Sequence, residues 1–313
     1  MNKTLLFMLL ALLSTSLHAQ ESQTAYNFLR LPVSAHVAAM GGDNITLTED
    51  DASLVFHNPA LIQNVSDLTM NLNMMTYMQG TVTGSASFVK AWGQRASWGV
   101  SGRFLSYGSM KETNERGDEL GHFKAHDFAL AGTFAYGLTE RISGGITAKL
   151  AASDMGPYTS WAALVDLGLN YWHEETDWSL SLVARNLGGQ LKSFEDEFER
   201  MPLDIQIGVS KRLFRSPLRL SVTMVKLNDW ENSIGRHFVF GADVTFDRFY
   251  VALGYNPLRY SEMKISSNNG ESAHLAGFSI GAGMQLDKLK LHVAYAKYHV
   301  SASSLLINLS YHL

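Results

Sequence analysis

Eleven histidines are spread over 313 residues, and only His122 and His126 stand four apart. On a helix that spacing turns two imidazoles to one side, where they could hold zinc. On a strand it leaves them about 13 Å apart along the axis, too far to share an ion. The others outside the leader, His36, His57, His173, His237, His274, His292, His299 and His312, are scattered. No metal or cofactor site is expected from them. His122, His126 and Asp127 could instead furnish a hydrolase of the Ser-His or Asp-His kind at the rim of a barrel. The Gly-x-Ser-x-Gly turn that would present a nucleophile is absent. No catalytic residue is expected, and the chain reads as a non-enzyme.

Clustered carboxylates raise a different chemistry. Glu49, Asp50 and Asp51 could attract a hard cation, but they lack the alternating oxygen ligands of a calcium loop. Acidic residues also favour the positive end of a helix. Thr48 with Asp51 would cap a short helix running to Phe56, so the triplet is expected as a solvated helix start. Glu195, Asp196, Glu197 and Glu199 form a second acidic stretch in an expected external loop, which fits both a solvated loop and a partner-docking surface. Further charges stand at the polar positions of alternating segments: Arg103, Asp127, Lys149, Asp166, Arg185, Asp204, Arg219, Asp243 and Lys290. A conduction path for one ion sign would be lined by one sign of charge. The mixture here favours structural ion pairs in a lumen.

Those alternating segments dominate the chain from Leu68 onward. Leu68, Met70, Leu72 and Met74 alternate with Thr69, Asn71 and Asn73, and Trp98, Val100 and Phe104 alternate with Ser97, Ser101 and Arg103. Fourteen such segments can be counted. Period two over about 7–10 residues is the pattern of a strand with lipid on one side and a polar interior on the other. The connections are sorted as well. Short turns at 93–95, 138–140, 174–177, 247–248 and 287–288 follow even segments, with 212–217 slightly longer. Long connections at 108–122, 152–160, 188–202, 228–236 and 256–274 follow most odd ones. Outer-membrane barrels have short periplasmic turns and longer external loops, so both termini are expected in the periplasm. Aromatics such as Trp92, Trp98, Trp172, Trp178, Phe246 and Phe249 crowd the short-turn ends as an interfacial girdle. The six prolines avoid strand interiors, where a missing N–H would break the ladder.

Composition narrows the setting. Lys3, the apolar run 5–13 and Leu17-His18-Ala19 read as a secretory signal over residues 1–19. Without Lys3, its only charge, 24 basic residues face 29 acidic ones, which excludes a broadly basic nucleic-acid binder. There is no cysteine, and no later segment approaches the ~18 apolar residues of a membrane helix. An exported chain that is 46% hydrophobic must hide that surface in a sandwich or in a membrane. The sorted connections select the membrane. The expected fold is all-β: a fourteen-stranded antiparallel outer-membrane barrel over residues 66–313, in contact with outer-membrane lipid. Its closing strand would turn Leu305, Ile307, Leu309, Tyr311 and Leu313 outward. Residues 20–65 lack the alternation and are expected to form an N-terminal hatch or a periplasmic cap.

Residues 28–61 carry a family resemblance. The run from Phe28 through Pro32 to Ala35, then Ala39-Met40-Gly41-Gly42, then Phe56-His57-Asn58-Pro59-Ala60-Leu61 resembles the start of the PorV/PorQ group. These are type IX secretion outer-membrane proteins of Bacteroidetes, similar to the long-chain fatty-acid transporter barrels. Tyr107-Gly108, Arg185-Asn186-Leu187-Gly188 and Met201-Pro202-Leu203 resemble the same group. The length and the acidic triplet fit its PorQ side better than its PorV side. His36 stands where the group would have Arg. The resemblance implies a fourteen-stranded barrel with a hatch, and a role in exporting or attaching cargo proteins at the cell surface. It implies as partners other parts of that machinery, including the PorU sortase, PorV and PorZ. Transport of hydrophobic small molecules is the alternative. The inward faces, rich in Ser, Gly, Thr and charges, favour the first.

Overall fold

In hydrocarbon every backbone N–H and C=O must be bonded within the protein, and a sheet meets that demand only by closing on itself. The alternating segments do this in the computed structural model, which describes residues 24–313 except 79, 115, 117, 231, 232, 264, 268, 269, 273, 274 and 301. The signal segment 1–19 and His274 lie outside the described residues. The strands are β1 (Thr69–Thr76), β2 (Val82–Trp92), β3 (Ala96–Thr113), β4 (Glu119–Gly137), β5 (Ile142–Met155), β6 (Tyr158–His173), β7 (Trp178–Lys192) and β8 (Asp204–Arg212). There follow β9 (Leu218–Met224), β10 (Phe238–Thr245), β11 (Phe249–Tyr255), β12 (Ile265–Ser267), β13 (Gly270–Ser272), β14 (Phe278–Leu286), β15 (Leu289–His299) and β16 (Ala302–His312). All but β12 and β13 form one closed antiparallel barrel of fourteen strands. β12 and β13 make a small separate hairpin inside the β11–β14 connection.

The last strand closes the barrel as its alternation requires. Leu309 pairs with Leu72 and Tyr311 with Met70 of β1. Leu309 and Tyr311 are 39% and 42% exposed, whereas the alternating Asn308 and Ser310 are 0% and 1% exposed. Leu313 lies one residue past the strand, and its N–H donates to the carbonyl of Leu68 at 3.3 Å. The six prolines all fall outside strands.

Two connections expected to be long are mostly strand. β3 runs to Thr113 and β4 begins at Glu119, so the hairpin stands beyond the expected loop start at 108. β5 and β6 are joined by Gly156 and Pro157 alone. Above the membrane both faces of a hairpin meet water, so nothing there enforces alternation, and the polar stretch reads as loop. The connections 193–203, 225–237 and 256–277 remain long.

Residues 28–66 fill the interior, and none of them is exposed. They form no strand. Instead they make a short helix, Ala35–Ala39, and 3₁₀ turns at Asn27–Arg30, Ala52–Phe56 and Pro59–Asn64. Asp51, not Thr48, caps the turn at Ala52, its carboxylate accepting from the N–H of Ser53 at 2.9 Å.

Candidate functional site

The feature built most carefully here is the seat of this N-terminal plug. Its apolar residues meet small ones on the wall. Ala35, Val37, Ala38, Ala39 and Met40 cluster with Ala252, Ala294 and Leu306, and Leu29 clusters with Leu105, Ala129, Ala151, Ala162 and Leu164. In places even alanine would not fit. A β-carbon on Gly254 would stand 2.0 Å from the nitrogen of Gly41, and one on Gly168 would stand 2.2 Å from Asn58 Oδ1. One on Gly145 would fall 2.4 Å from the carbonyl carbon of Pro59. Gly41 itself has φ 100°, a left-handed conformation that costs glycine little. Thus the motif residues Gly41, Asn58, Pro59 and Ala60 are among the parts of the plug that press on wall glycines, with Ala39, Met40, Ile45 and Thr46. Gly42 lies against Tyr298 and Arg259, and Pro32 is buried just before the helix. Asn58 also caps the last turn, accepting from the N–H of Ala60 at 3.0 Å, and Pro59 follows at a position where no N–H is needed.

Charge fixes the plug to the wall. Arg219 binds Asp243 at 2.7 Å and also Glu49, and Lys290 binds Asp50 at 2.8 Å. Arg185 binds Asp204 at 2.9 Å and Asp43 of the plug at 3.2 Å. Lys149 pairs with Asp166 at 2.7 Å. Among the described residues Arg103 has no ion-pair partner, and it donates to the carbonyls of Phe28 and Leu31, at 2.6 and 2.8 Å. Asp127 accepts from Tyr107 and Ser153. The lumen charges therefore serve the plug as much as one another.

The acidic triplet is not a solvated helix start. Glu49 and Asp50 reach wall cations, and Asp51 is 2% exposed, holding Ser34, Ser53 and Asn71. A sequence shows the sign of a charge but not a partner that folding brings from across the barrel. Burial alone would raise the Glu49 carboxyl, but His36 and Arg219 hold it well below the usual range. Burial likewise opposes Lys290 at Asp50, and Lys290 with the N–H of Ser66 prevails and lowers it.

Several contacts of this seat could not be read from the sequence. His36, at 1% exposure, stacks on Tyr250 with ring centroids 3.7 Å apart and meets Glu49 at 2.8 Å. His57 accepts from the N–H groups of Val33 and Ser34 at 3.3 Å, and burial pushes it well below its ordinary value. Asn256 and Arg259, in the β11–β14 connection, both donate to the carbonyl of Gly41. Among the described residues no acidic and histidine cluster could hold a metal ion. His122 is exposed near Glu119, and Asp127 faces Ser153 and Tyr107 rather than a histidine, so no triad forms there.

The plug also runs end to end. Thr24 bridges to Arg200 and the N–H of Ala25 donates to Arg200 O, in the 193–203 connection. Tyr26 Oη lies 2.6 Å from Ser160 Oγ. Leu68 and Leu313 lie at the opposite, short-turn end. From Thr24 at the long-loop end the plug threads through the lumen to β1 at the short-turn end. Glu195, Asp196, Glu197 and Glu199 are exposed in that same connection. A lumen cavity lined by Leu29, Val55, Phe56, Arg103, Lys149 and Asp166 measures about 20 Å³, and one of about 260 Å³ lies beside Glu49, Asp50, Asp51, Lys290 and His292 at the short-turn end.

Fold and plug together define an outer-membrane barrel closed by its own N-terminal segment. Solved structures resemble it in fold. The CymD monoaromatic hydrocarbon channel is 14% identical, with 92% of this chain and 98% of that chain covered and a TM-score of 0.56. A Pseudomonas aeruginosa FadL homologue is 11% identical over 90% of this chain and 98% of its own, with a TM-score of 0.53. The Pseudomonas putida toluene transporter TodX gives 11%, 90%, 97% and 0.53 in the same order. At such identity the likeness is one of fold. No protein-family profile matches the sequence, and no curated protein matches it.

Proposed function

We propose that this chain is a sealed outer-membrane barrel that anchors or scaffolds partner proteins of a type IX secretion and surface-attachment machinery. The observation that carries the sealed part is the interior: no residue from 28 to 66 is exposed, and plug backbone at Gly41 and Pro59 lies directly against wall glycines. A conduit for apolar molecules needs a greasy passage, and here the wall offers the plug alanines, glycines and ion pairs. The secretion part rests on the resemblance of residues 28–61 to the PorV/PorQ group, nearest its PorQ side, with PorU, PorV and PorZ as partners. The acidic stretch Glu195 to Glu199 is the docking surface of this proposal. Its periplasmic C-terminus follows from short turns facing the periplasm.

The second reading is transport of hydrophobic small molecules, and the shared fold with CymD, TodX and the FadL homologue favours it over secretion. A deletion strain separates the two. The anchoring reading expects cargo to be lost from the surface while uptake of apolar compounds is unchanged. Intact secretion and attachment with abolished uptake would overturn it. Recovery of the detergent-solubilised protein with secretion partners is the second expected outcome, and recovery alone counts against anchoring.

A further inference from the structure

The lipid-facing wall carries one cleft that the plug does not use. It lies at the short-turn end, between the β6–β7 turn and the β8–β9 turn, and measures about 520 Å³. Glu175 and Asp177 line it on one side, and Lys211, Arg212, Phe214 and Arg215 on the other. Alternation along β8 buries Gln206 and Ser210 and leaves Ile207 exposed, so Lys211 is on the lipid side. Its register partner across the ladder is Trp178, and Lys211 Nζ sits 4.6 Å from that ring's centroid. Arg215 covers the Phe214 ring at 5.1 Å, and Phe214 is 84% exposed. Tryptophan and a long cationic side chain at one level of a barrel mark the headgroup layer, where the stem lies in hydrocarbon and the charge reaches phosphate.

The charges of the cleft are unevenly spent. Arg212 and Asp177 face each other at 4.0 Å. Among the described residues Lys211, Arg215 and Glu175 have no ion-pair partner, unlike the lumen cations Lys149, Arg185, Arg219 and Lys290. Two free cations beside one free carboxylate complement a phosphate joined to an ammonium. We propose that this cleft binds a single glycerophospholipid with a phosphate and a primary ammonium, a phosphatidylethanolamine-type headgroup. Lys211 and Arg215 take the phosphate, and Glu175 takes the ammonium. The acyl chains lie along Trp178, Leu180 and Ile207, which are all exposed on the lipid side. A choline headgroup has no N–H to give Glu175, and a glycerol headgroup brings no cation.

The test uses the full mature chain, reconstituted with equal parts of phosphatidylethanolamine, phosphatidylglycerol and phosphatidylcholine. Native mass spectrometry then counts the lipid retained after mild delipidation. One ethanolamine lipid per barrel is expected. The Lys211→Gln/Arg215→Gln variant should retain at least about tenfold less, the equivalent of one charge-assisted hydrogen bond. Glu175→Gln should keep a lipid but lose the preference for ethanolamine over choline. If the double variant does not fold, judged by heat-modifiable migration, the Glu175→Gln ratio alone decides. Equal retention by wild type and the folded double variant overturns the proposal. So does an unchanged headgroup preference in Glu175→Gln, or a wild-type preference for phosphatidylglycerol or phosphatidylcholine.

Discussion

A β-carbon on Gly254 would collide with plug backbone, not with a side chain that could swing aside. Gly254→Val should therefore unseat the helix Ala35–Ala39 without opening the barrel, at a cost of about 1–3 kcal/mol or more. Proteolysis within residues 28–66, at unchanged heat-modifiable migration, checks this. Gly132→Val, which meets nothing within 4 Å, is the control and should leave the plug protected. Titration acts at the same scale. His57 stays neutral in the seated plug because burial drives its value down. The unfolded segment takes up a proton below about pH 6.5, so stability is lost as pH falls through that value, by about 1.4 kcal/mol per unit. Glu49 and Asp50 are lowered, so their contribution is full above the ordinary carboxylate range and is lost only as pH falls through their depressed native values. Protection factors of plug amides, which divide out the intrinsic pH dependence of exchange, should fall between about pH 7 and 5 in the wild type. In His57→Gln, which keeps an acceptor but cannot titrate, that fall should vanish. These residues were hard to read in advance for a plain reason. Glu49 and Arg219 are 170 positions apart, and Asp50 and Lys290 are 240 apart, so the acidic run carries no local trace of its partners.

At the scale of elements much more was legible. A strand between lipid and lumen must alternate, so β16, β4 and β8 declare themselves from residue types alone. Their inward polar residues and outward apolar ones fall where the pattern puts them. The pattern fails where its physical cause stops. Lys111 and Glu119 form an ion pair on the hairpin of β3 and β4. That hairpin stands in water on both faces, and its strands extend past the point where alternation ends. The plug shows the opposite failure: it is buried on all sides, so no period of two or 3.6 marks it, and only its glycine, proline and asparagine spacing hints at tight contacts. The seam gives the sharpest test of the elements that were read correctly. Ile307 pairs with Met74 of β1 and Val293 of β15, and faces lipid. Ile307→Arg places a charge at that seam, worth about 2–4 kcal/mol at mid-depth. Membrane-inserted, heat-modifiable protein should fall sharply, whereas Asn308→Ser on the inward side should assemble normally. Equal assembly of both would contradict the closure of β16 on β1.

For the whole molecule, the threading of the plug limits how the barrel could open. The segment is held near Ser160 and Arg200 at the long-loop end, by Arg219 and Lys290 toward the other, and covalently by β1. Leaving as a rigid body toward the long-loop end would break the Glu49 and Asp50 pairs. Leaving the other way would drag Tyr26 and Ala25 through the lumen. Neither is a small motion, so the resting state is closed and any opening begins by releasing one tether. In planar bilayers the wild type should show no stable conductance steps. Glu49→Gln/Asp50→Asn leaves Arg219 with Asp243 but removes the carboxylates that tie the plug to Arg219 and Lys290, and brief openings should follow. Long-lived openings in the wild type would remove the basis for a sealed anchor and leave the transport reading standing. A closed double variant would mean that the glycine contacts around Gly41 and Pro59, not the ion pairs, hold the barrel shut.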